Sequence, residues 1–267
     1  MMDSEETQPG RKEHKVPEPV IKEATGKNFT WLSASISEVG RVRSLNEDAC
    51  VELPEKRIWA VADGMGGHDA GDKASRLIID SLLSVRHQDS FSAFVDAVED
   101  TLIEVHEELF RRGEARGQIG GSTLVALLVR NCYALVMWAG DSRAYLFRND
   151  TLTRITQDHS VVAELLERGE ISPEEAAVHP EANVITRAVG AVKNLYLDMD
   201  IVEIKHGDNL LLCSDGLYRE VAEQEISAIL HRHYSPAKAV QEMVELALSR
   251  GGRDNITGVV IRAVKNV

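Results

Sequence analysis

The 267-residue chain is poor in the features that most quickly place a protein in a class. Its three cysteines, Cys50, Cys132 and Cys213, are scattered, odd in number and free of C-x-x-C spacing. That argues against a disulfide framework and a cysteine zinc site, and favours a reducing compartment. Positive charge is in the minority, with 30 Lys and Arg against 43 Asp and Glu, a formal net charge of −13. Nothing supplies a basic stripe, so no nucleic-acid partner is expected. No apolar run approaches the length of a membrane span, and the N-terminus lacks an apolar h-region. The expectation is therefore a cytoplasmic monomer without a signal peptide or membrane attachment. Internal repeats are absent, and a chain that is 43% hydrophobic can bury one substantial core, so one domain is expected. Aliphatic residues are scarce in residues 1–28, which are rich in Glu, Lys and Pro. Such a segment cannot bury enough surface to offset the entropy of ordering, and a disordered tail is expected there, with the domain spanning 29–267.

The stretch around which the chain is organised is Val61-Ala62-Asp63-Gly64-Met65-Gly66-Gly67-His68. An apolar run from Ile58 delivers an aspartate onto a glycine-rich turn, and Ala74, Leu77, Ile78, Leu82 and Val85 then repeat at helical spacing. A carboxylate at a strand end, beside a glycine that permits close approach, suits a hard cation and repels an anion. A phosphate-cradling loop fits poorly: Asp69 stands where a G-x-G-x-x-G from Gly64 needs its last glycine, and no G-K-[ST] follows.

Elsewhere the pattern alternates between paired strands and paired helices. Ser33–Ser37 is strand-like, and Ser90 caps a helix carrying Phe94, Val98, Leu102 and Val105 along one face, ending at Gly113 and Gly117. Ser122–Val129 with Cys132–Ala139, and Tyr145–Arg148 with Leu152–Ile155, read as hairpins. Residues 159–189 turn helical and polar, with Ser172-Pro173-Glu174-Glu175 as a capping box, and make a candidate mobile flap. Strands return at Leu195–Ile204 and Asp208–Ser214, followed by helices Glu223–His231 and Pro236–Ser249 and a last strand, Ile256–Val264. Antiparallel sheets covered by helices, an α+β class, fit this order better than a βαβ repeat.

Asp63, Asp215 and Asp254 each adjoin a boundary between strand and loop. A single Asp-Gly after a strand is ordinarily a turn. Several that converge would repel unless a cation neutralised them, and an all-oxygen set favours magnesium or manganese over zinc. Spacing alone does not bring them together. Arg43 can grip a phosphate in two-pronged fashion, or pair with Glu47 or Asp48 at the surface. His68 is either a proton donor or a helix-entry side chain, and His159 fits a cap region better than a catalyst. Cys213 and Arg219 satisfy the C-x5-R spacing of cysteine phosphatases, but Asp215 inside that loop would oppose a phosphate dianion. Ser235-Pro236-Ala237-Lys238 matches the S-x-x-K of acyl-transfer enzymes and reads more simply as a helix cap.

Six motifs stand in one order: Arg43-x-x-Asn46-Glu47-Asp48-Ala49, the Val61–His68 stretch, Gly121-Ser122-Thr123, Gly140-Asp141-Ser142-Arg143, Ser214-Asp215-Gly216 and Asp254-Asn255. Together they resemble the bacterial metal-dependent serine/threonine protein phosphatases of the PP2C (PPM) family, over about Ser33 to Val264. The resemblance implies a four-layer αββα sandwich, two central antiparallel sheets flanked by pairs of antiparallel helices. It implies a dinuclear Mn2+ or Mg2+ site in which Asp63 bridges the ions, Gly64 lends its carbonyl, and Asp215 and Asp254 complete one ion. Asp141, with Asp215, would hold a third and weaker ion. Glu47, Asp48 and Asn255 would lie close by, and Arg43 would bind the phosphate. The activity implied is hydrolysis of phosphoserine and phosphothreonine by activated water, with no covalent intermediate. Partners would be phosphorylated proteins and a cognate serine/threonine kinase. Met65 departs from the eukaryotic pattern, which has a histidine there, so the proton donor stays unassigned, with His68 one candidate. The alternatives are a cysteine phosphatase using Cys213 and a catalytically silent phosphoprotein-binding regulator.

Overall fold

The structure is a computed structural model describing residues 16–17, 19–66, 70–118 and 120–266, and its apolar runs form two antiparallel sheets packed face to face. In chain order the strands are β1 (Lys22–Thr25), β2 (Phe29–Glu38), β3 (Asp48–Leu53), β4 (Ile58–Met65), β5 (Gly121–Ser122) and β6 (Leu124–Arg130), then β7 (Tyr133–Ala139), β8 (Arg143–Arg148), β9 (Thr151–Arg154), β10 (Asp198–Glu203), β11 (Asn209–Cys213) and β12 (Ile256–Lys265). The helices are α1 (Ala70–Ser84), α2 (Phe91–Arg116), α3 (Val161–Glu167), α4 (Pro173–Ala177), α5 (Asp215–Tyr218), α6 (Glu223–Arg232) and α7 (Pro236–Ser249). One sheet runs β1-β2-β12-β11-β8-β9, the other β10-β7-β6-β4-β3.

Strand residues are apolar on both faces because each sheet is covered twice. In β4, Ile58, Ala60 and Ala62 pack against α1 and α2, while Trp59 and Val61 meet the opposite sheet. In β12, Val260 faces α6 and α7, and Val259 and Ile261 face the seam. Period-two alternation therefore divides the apolar residues between three layers of core, giving the αββα sandwich. Trp59 Nε1 donates to Ser33 Oγ across the seam at 2.9 Å, satisfying the one polar atom of a fully buried ring.

Local chemistry sets the element ends. Ser90 Oγ accepts from the Ala93 amide at 3.0 Å, and Gly117 takes the left-handed conformation (φ +62°) that closes α2. Asn149 and Asp150 sit at φ +49° and +62°, so the β8–β9 hairpin makes its turn without glycine, with two residue types that tolerate this region. The capping box at Ser172 and Glu175 is formed.

Three expectations change. Order begins before Phe29: Lys22–Thr25 pair with Thr30–Ser33, and Val16 is buried against the α6–α7 layer. The edge strand is held by backbone pairing and by Arg57, whose guanidinium donates to the Ala24 and Thr25 carbonyls, so an apolar count does not register it. Residues 1–15 lie outside the described residues. Asp215-Gly216 belongs to the first turn of α5 rather than to an open turn. Ser235 stands at the cap position of α7 but makes no capping hydrogen bond, leaving Pro236 as the starting signal.

Candidate active site

The acidic residues gather where β4, β11 and β12 meet at one end of the seam. Asp63 continues the phase of Trp59 and Val61, which brings its carboxylate to the inter-sheet side. Its amide donates to Thr123 Oγ1 at 3.0 Å, its carbonyl accepts from the Thr123 amide at 2.8 Å, and Thr123 and Ser142 share a 2.7 Å hydroxyl contact. Gly64 meets a crowd: a Cβ there would lie 2.2 Å from the Gly71 carbonyl oxygen and 2.6 Å from that of Glu47. The glycine that the sequence links to ligand approach is thus also required by the first turn of α1.

Glu47 is fixed through its backbone. Its carbonyl accepts from the Gly64 amide (3.1 Å) and the Ser75 hydroxyl (2.6 Å), and its amide donates to Asn255 Oδ1 (2.9 Å). The Asn255 amide donates in turn to the Val39 and Leu45 carbonyls, which makes it the clamp on the loop carrying Arg43 and Glu47. Asp48 pairs with Asp63 across β3 and β4, and its Oδ2 accepts from Ser214 and Thr257, each at 2.7 Å. The end of β11, at the cap of α5, and strand β12 of the other sheet thereby support the floor. A Cβ on Gly216 would lie 2.1 Å from the Asn255 carbonyl oxygen, so glycine lets the Asp215 and Asp254 loops close on each other.

A cleft of about 310 Å³ results, in which Glu47, Asp63, Asp141, Asp215 and Asp254 face Arg43, with Asn183 and Ile185 of the 159–189 segment on its rim. Burial, then repulsion from neighbouring carboxylates, pushes Asp63 well above the usual carboxylate range. Burial likewise raises Asp48 and Asp141 to about 7, raises Asp215, and raises Glu47. Arg43 Nη2 donates to Asp254 Oδ2 at 2.8 Å, so its partner is neither Glu47 nor Asp48.

Among the described residues no three His, Cys, Asp or Glu side chains stand in a geometry that grips an ion directly. The donor set nevertheless fits a hard divalent cation. Glu47 Oε1 and Asp48 Oδ1 are buried without a hydrogen-bond partner, and crowded carboxylates that resist ionisation are what a cation relieves. Every donor is oxygen, the preference of magnesium and manganese.

The remaining expectations divide. Met65 lines the cleft, whereas His68 lies outside the described residues. His159 is structural: Nδ1 accepts from the Gly140 amide (3.1 Å), Nε2 meets Asp198 Oδ2 (3.1 Å), and the ring stacks on Trp138. Burial depresses its pKa, consistent with a neutral ring. Arg143 points away from the cleft, bonding Asp158 at 2.7 Å and covering the Tyr218 ring at 3.7 Å. Cys213 is fully buried in the core between its sheet and α7, and burial pushes its thiol up to about 12. The cysteine-phosphatase alternative fails on that geometry. Sequence reasoning overlooked Ser214 and Thr257, which hold Asp48, and Arg219, whose Nη2 lies 3.1 Å from Asp215 and 3.4 Å from Asp141. Arg219 had one signal, its place in the C-x5-R match.

Comparison with known proteins agrees with this geometry and not with cysteine chemistry. Residues 34–256 match the Protein phosphatase 2C family. The chain is 37% identical to the serine/threonine phosphatase stp of Listeria innocua over 231 residues, 83% of this chain and 92% of that protein. Among solved structures it is similar to PppA, a key regulatory component of T6SS in Pseudomonas aeruginosa, with 44% identity, a TM-score of 0.81, and 87% and 97% of the two chains covered. It is also similar to the catalytic domain of the serine/threonine protein phosphatase PstP in complex with two manganese ions, with 34% identity, a TM-score of 0.77, and 89% and 100% covered. A match of this extent, with relatives above 30% identity over most of both chains, places the protein in the protein phosphatase 2C family.

Proposed function

We propose that the acidic cleft is the catalytic centre of a metal-dependent protein serine/threonine phosphatase, acting on phosphoserine and phosphothreonine in protein substrates. The carrying observation is the convergence of five carboxylates and two arginines, Arg43 and Arg219, in a single cleft at the end of the seam. Asp63, the Gly64 carbonyl, Asp215 and Asp254 would hold two divalent ions, with Asp63 serving both. Glu47 and Asp48 would act through ordered water. Asp141, with Asp215, would offer a third and weaker position. Manganese is the first choice of ion, supported by the two ions bound to PstP, and magnesium is admitted by the same oxygen donors.

When bound, the ions supply a water made acidic enough to attack phosphorus near neutral pH and take up charge on the phosphoryl oxygens. The chain's own residues supply the rest. Arg43 stands half exposed at the mouth, tethered among the described residues to Asp254, and can turn its fork to the incoming phosphate. Asn255 holds the Arg43–Glu47 loop at fixed depth. Asp48, gripped by two hydroxyls, keeps β3 and β4 in register beneath Asp63. The proton for the leaving alkoxide is not assigned to a described residue; His68 and solvent are the candidates.

The 44% identity to PppA, a key regulatory component of T6SS, supports a regulatory role; we further propose that this role is exercised in the cytoplasm, on the substrates of a cognate serine/threonine kinase. The test replaces Asp63 by Asn and, as control, Asp89 by Asn on an exposed loop, measuring Mn2+ binding by calorimetry alongside turnover of a phosphothreonine peptide. The expected result is loss of tight Mn2+ binding and at least about a hundred-fold loss of turnover for Asp63→Asn alone. Full turnover in Asp63→Asn would overturn the assignment. Tight Mn2+ binding without turnover in the unaltered protein would favour the silent regulator.

A further inference from the structure

Arg219 occupies a position that the metal assignment leaves unexplained. It directly follows α5, and its amide donates to the Asp215 carbonyl at 2.9 Å, so the residue is held one helical turn beyond Asp215. Its guanidinium reaches three places at once. Nη2 lies 3.1 Å from Asp215 Oδ2 and 3.4 Å from Asp141 Oδ2, and Nη1 donates to Asn183 Oδ1 on the 159–189 segment. The adjoining Tyr218 ring is pinned under Arg143, itself bonded to Asp158, so the backbone that carries Arg219 has little freedom to move away.

The charges of the cleft are thereby divided. Arg43 takes Asp254 on one wall, Arg219 takes the Asp141–Asp215 pair on the other, and Asp63 and Glu47 between them form no direct ion pair with an arginine among the described residues, although the Arg43 charge still acts on Glu47. A divalent ion on Asp63 meets a carboxylate that forms no arginine ion pair among the described residues, although Asp215 and Asp254 beside it are each so paired. One placed between Asp141 and Asp215 meets a guanidinium already within about 3.5 Å of both, and two cations cannot share that space without strong repulsion.

We propose that Arg219 is a built-in counter-cation of the Asp141–Asp215 pair that ties it to the flap through Asn183, so that a third divalent ion enters only by displacing Arg219 and releasing the flap. This rests on the assignment of the first two ions to Asp63, Asp215 and Asp254. Arg219 is a positioning residue in this scheme, acting through two carboxylates and one amide rather than on the phosphate. Flap position and third-ion occupancy become mutually exclusive readouts of one guanidinium.

The test uses the full chain and Mn2+ alone, with binding followed by calorimetry and flap motion by hydrogen exchange over residues 181–187. Arg219→Gln removes the charge, Arg219→Lys keeps it, and Asp141→Asn removes the third position. The expected result is two tight ions in every variant, with the third bound at least about ten-fold tighter in Arg219→Gln than in the unaltered protein or Arg219→Lys, and absent in Asp141→Asn. In the unaltered protein, exchange at 181–187 should rise as the third ion fills. Equal third-ion affinity in Arg219→Gln and the unaltered protein, or filling without a change in exchange, would overturn the proposal. A merely structural Arg219 would lower the melting temperature and leave the third-ion affinity unchanged. If Asp63→Asn still binds two tight ions, the underlying metal assignment has failed instead, whatever Arg219 does.

Discussion

Asp48 offers a prediction in which stability and function move in opposite directions. Its carboxylate is buried, with one oxygen accepting from Ser214 and Thr257 and the other without a partner. Burial first, and then the charges of Asp215 and Asp254, raise it from 3.8 to about 7. The folded state therefore binds a proton more tightly than the unfolded chain does, and stability falls as pH rises from about 4 through 7. Integrated at about 1.4 kcal/mol per pH unit, the gap costs the metal-free protein on the order of 4 kcal/mol at pH 8. Asparagine keeps an oxygen for both hydroxyls and carries no charge. Because relief of repulsion is shared with the other carboxylates, about half that figure, ~2 kcal/mol, should appear as a gain in Asp48→Asn. For a chain of this size that is about 4–8 °C in melting temperature. The assay is calorimetry on chelator-treated protein. The gain should be full at pH 8 and fall to about a third at pH 5, where the folded carboxyl is largely protonated. With Mn2+ added the order should reverse, the unaltered protein gaining more from the ion. A melting temperature lowered by Asp48→Asn at pH 8 without metal, or a gain equal at both pH values, would refute the reasoning.

Other outcomes follow from the same geometry. Arg43→Ala should raise KM for a phosphopeptide about ten- to hundred-fold while leaving Mn2+ stoichiometry intact, since its contact with Asp254 is half exposed. Cys213→Ser should retain turnover and lose about 1–3 kcal/mol in denaturant melts, because a hydroxyl replaces a fully buried thiol. Arg143→Ala removes the hydrogen-bonded partner of Asp158, leaving it only the longer 3.6 Å contact with Arg154, and uncovers Tyr218, and should cost about 1–3 kcal/mol in the same melts.

The sequence announces what side-chain pattern and turn chemistry encode. The alternation in β4 and β12, the Ser90 cap and the Gly117 stop are local signals, and each element forms where its signal lies. Asp63, Asp215 and Asp254 are recognisable because each adjoins the boundary between an apolar strand and a loop, and the family order of motifs supplies the convergence that spacing alone does not. What stayed hidden depends on partners distant in the chain. β1 exists because β2 and Arg57 offer its backbone bonds, which its own side chains do not reveal. Ser214 and Thr257 matter only because the two sheets bring them to Asp48, 166 and 209 residues away. Arg219 stood inside a motif whose chemistry belongs elsewhere, and its partners Asp141 and Asn183 come from separate segments.

The most direct test of the account is turnover of a phosphothreonine peptide by the full chain before and after chelation. Chelator should abolish turnover, added Mn2+ should restore it, and Asp63→Asn should remain inactive at any Mn2+ concentration. Undiminished turnover in chelator-stripped protein would contradict the account at its centre.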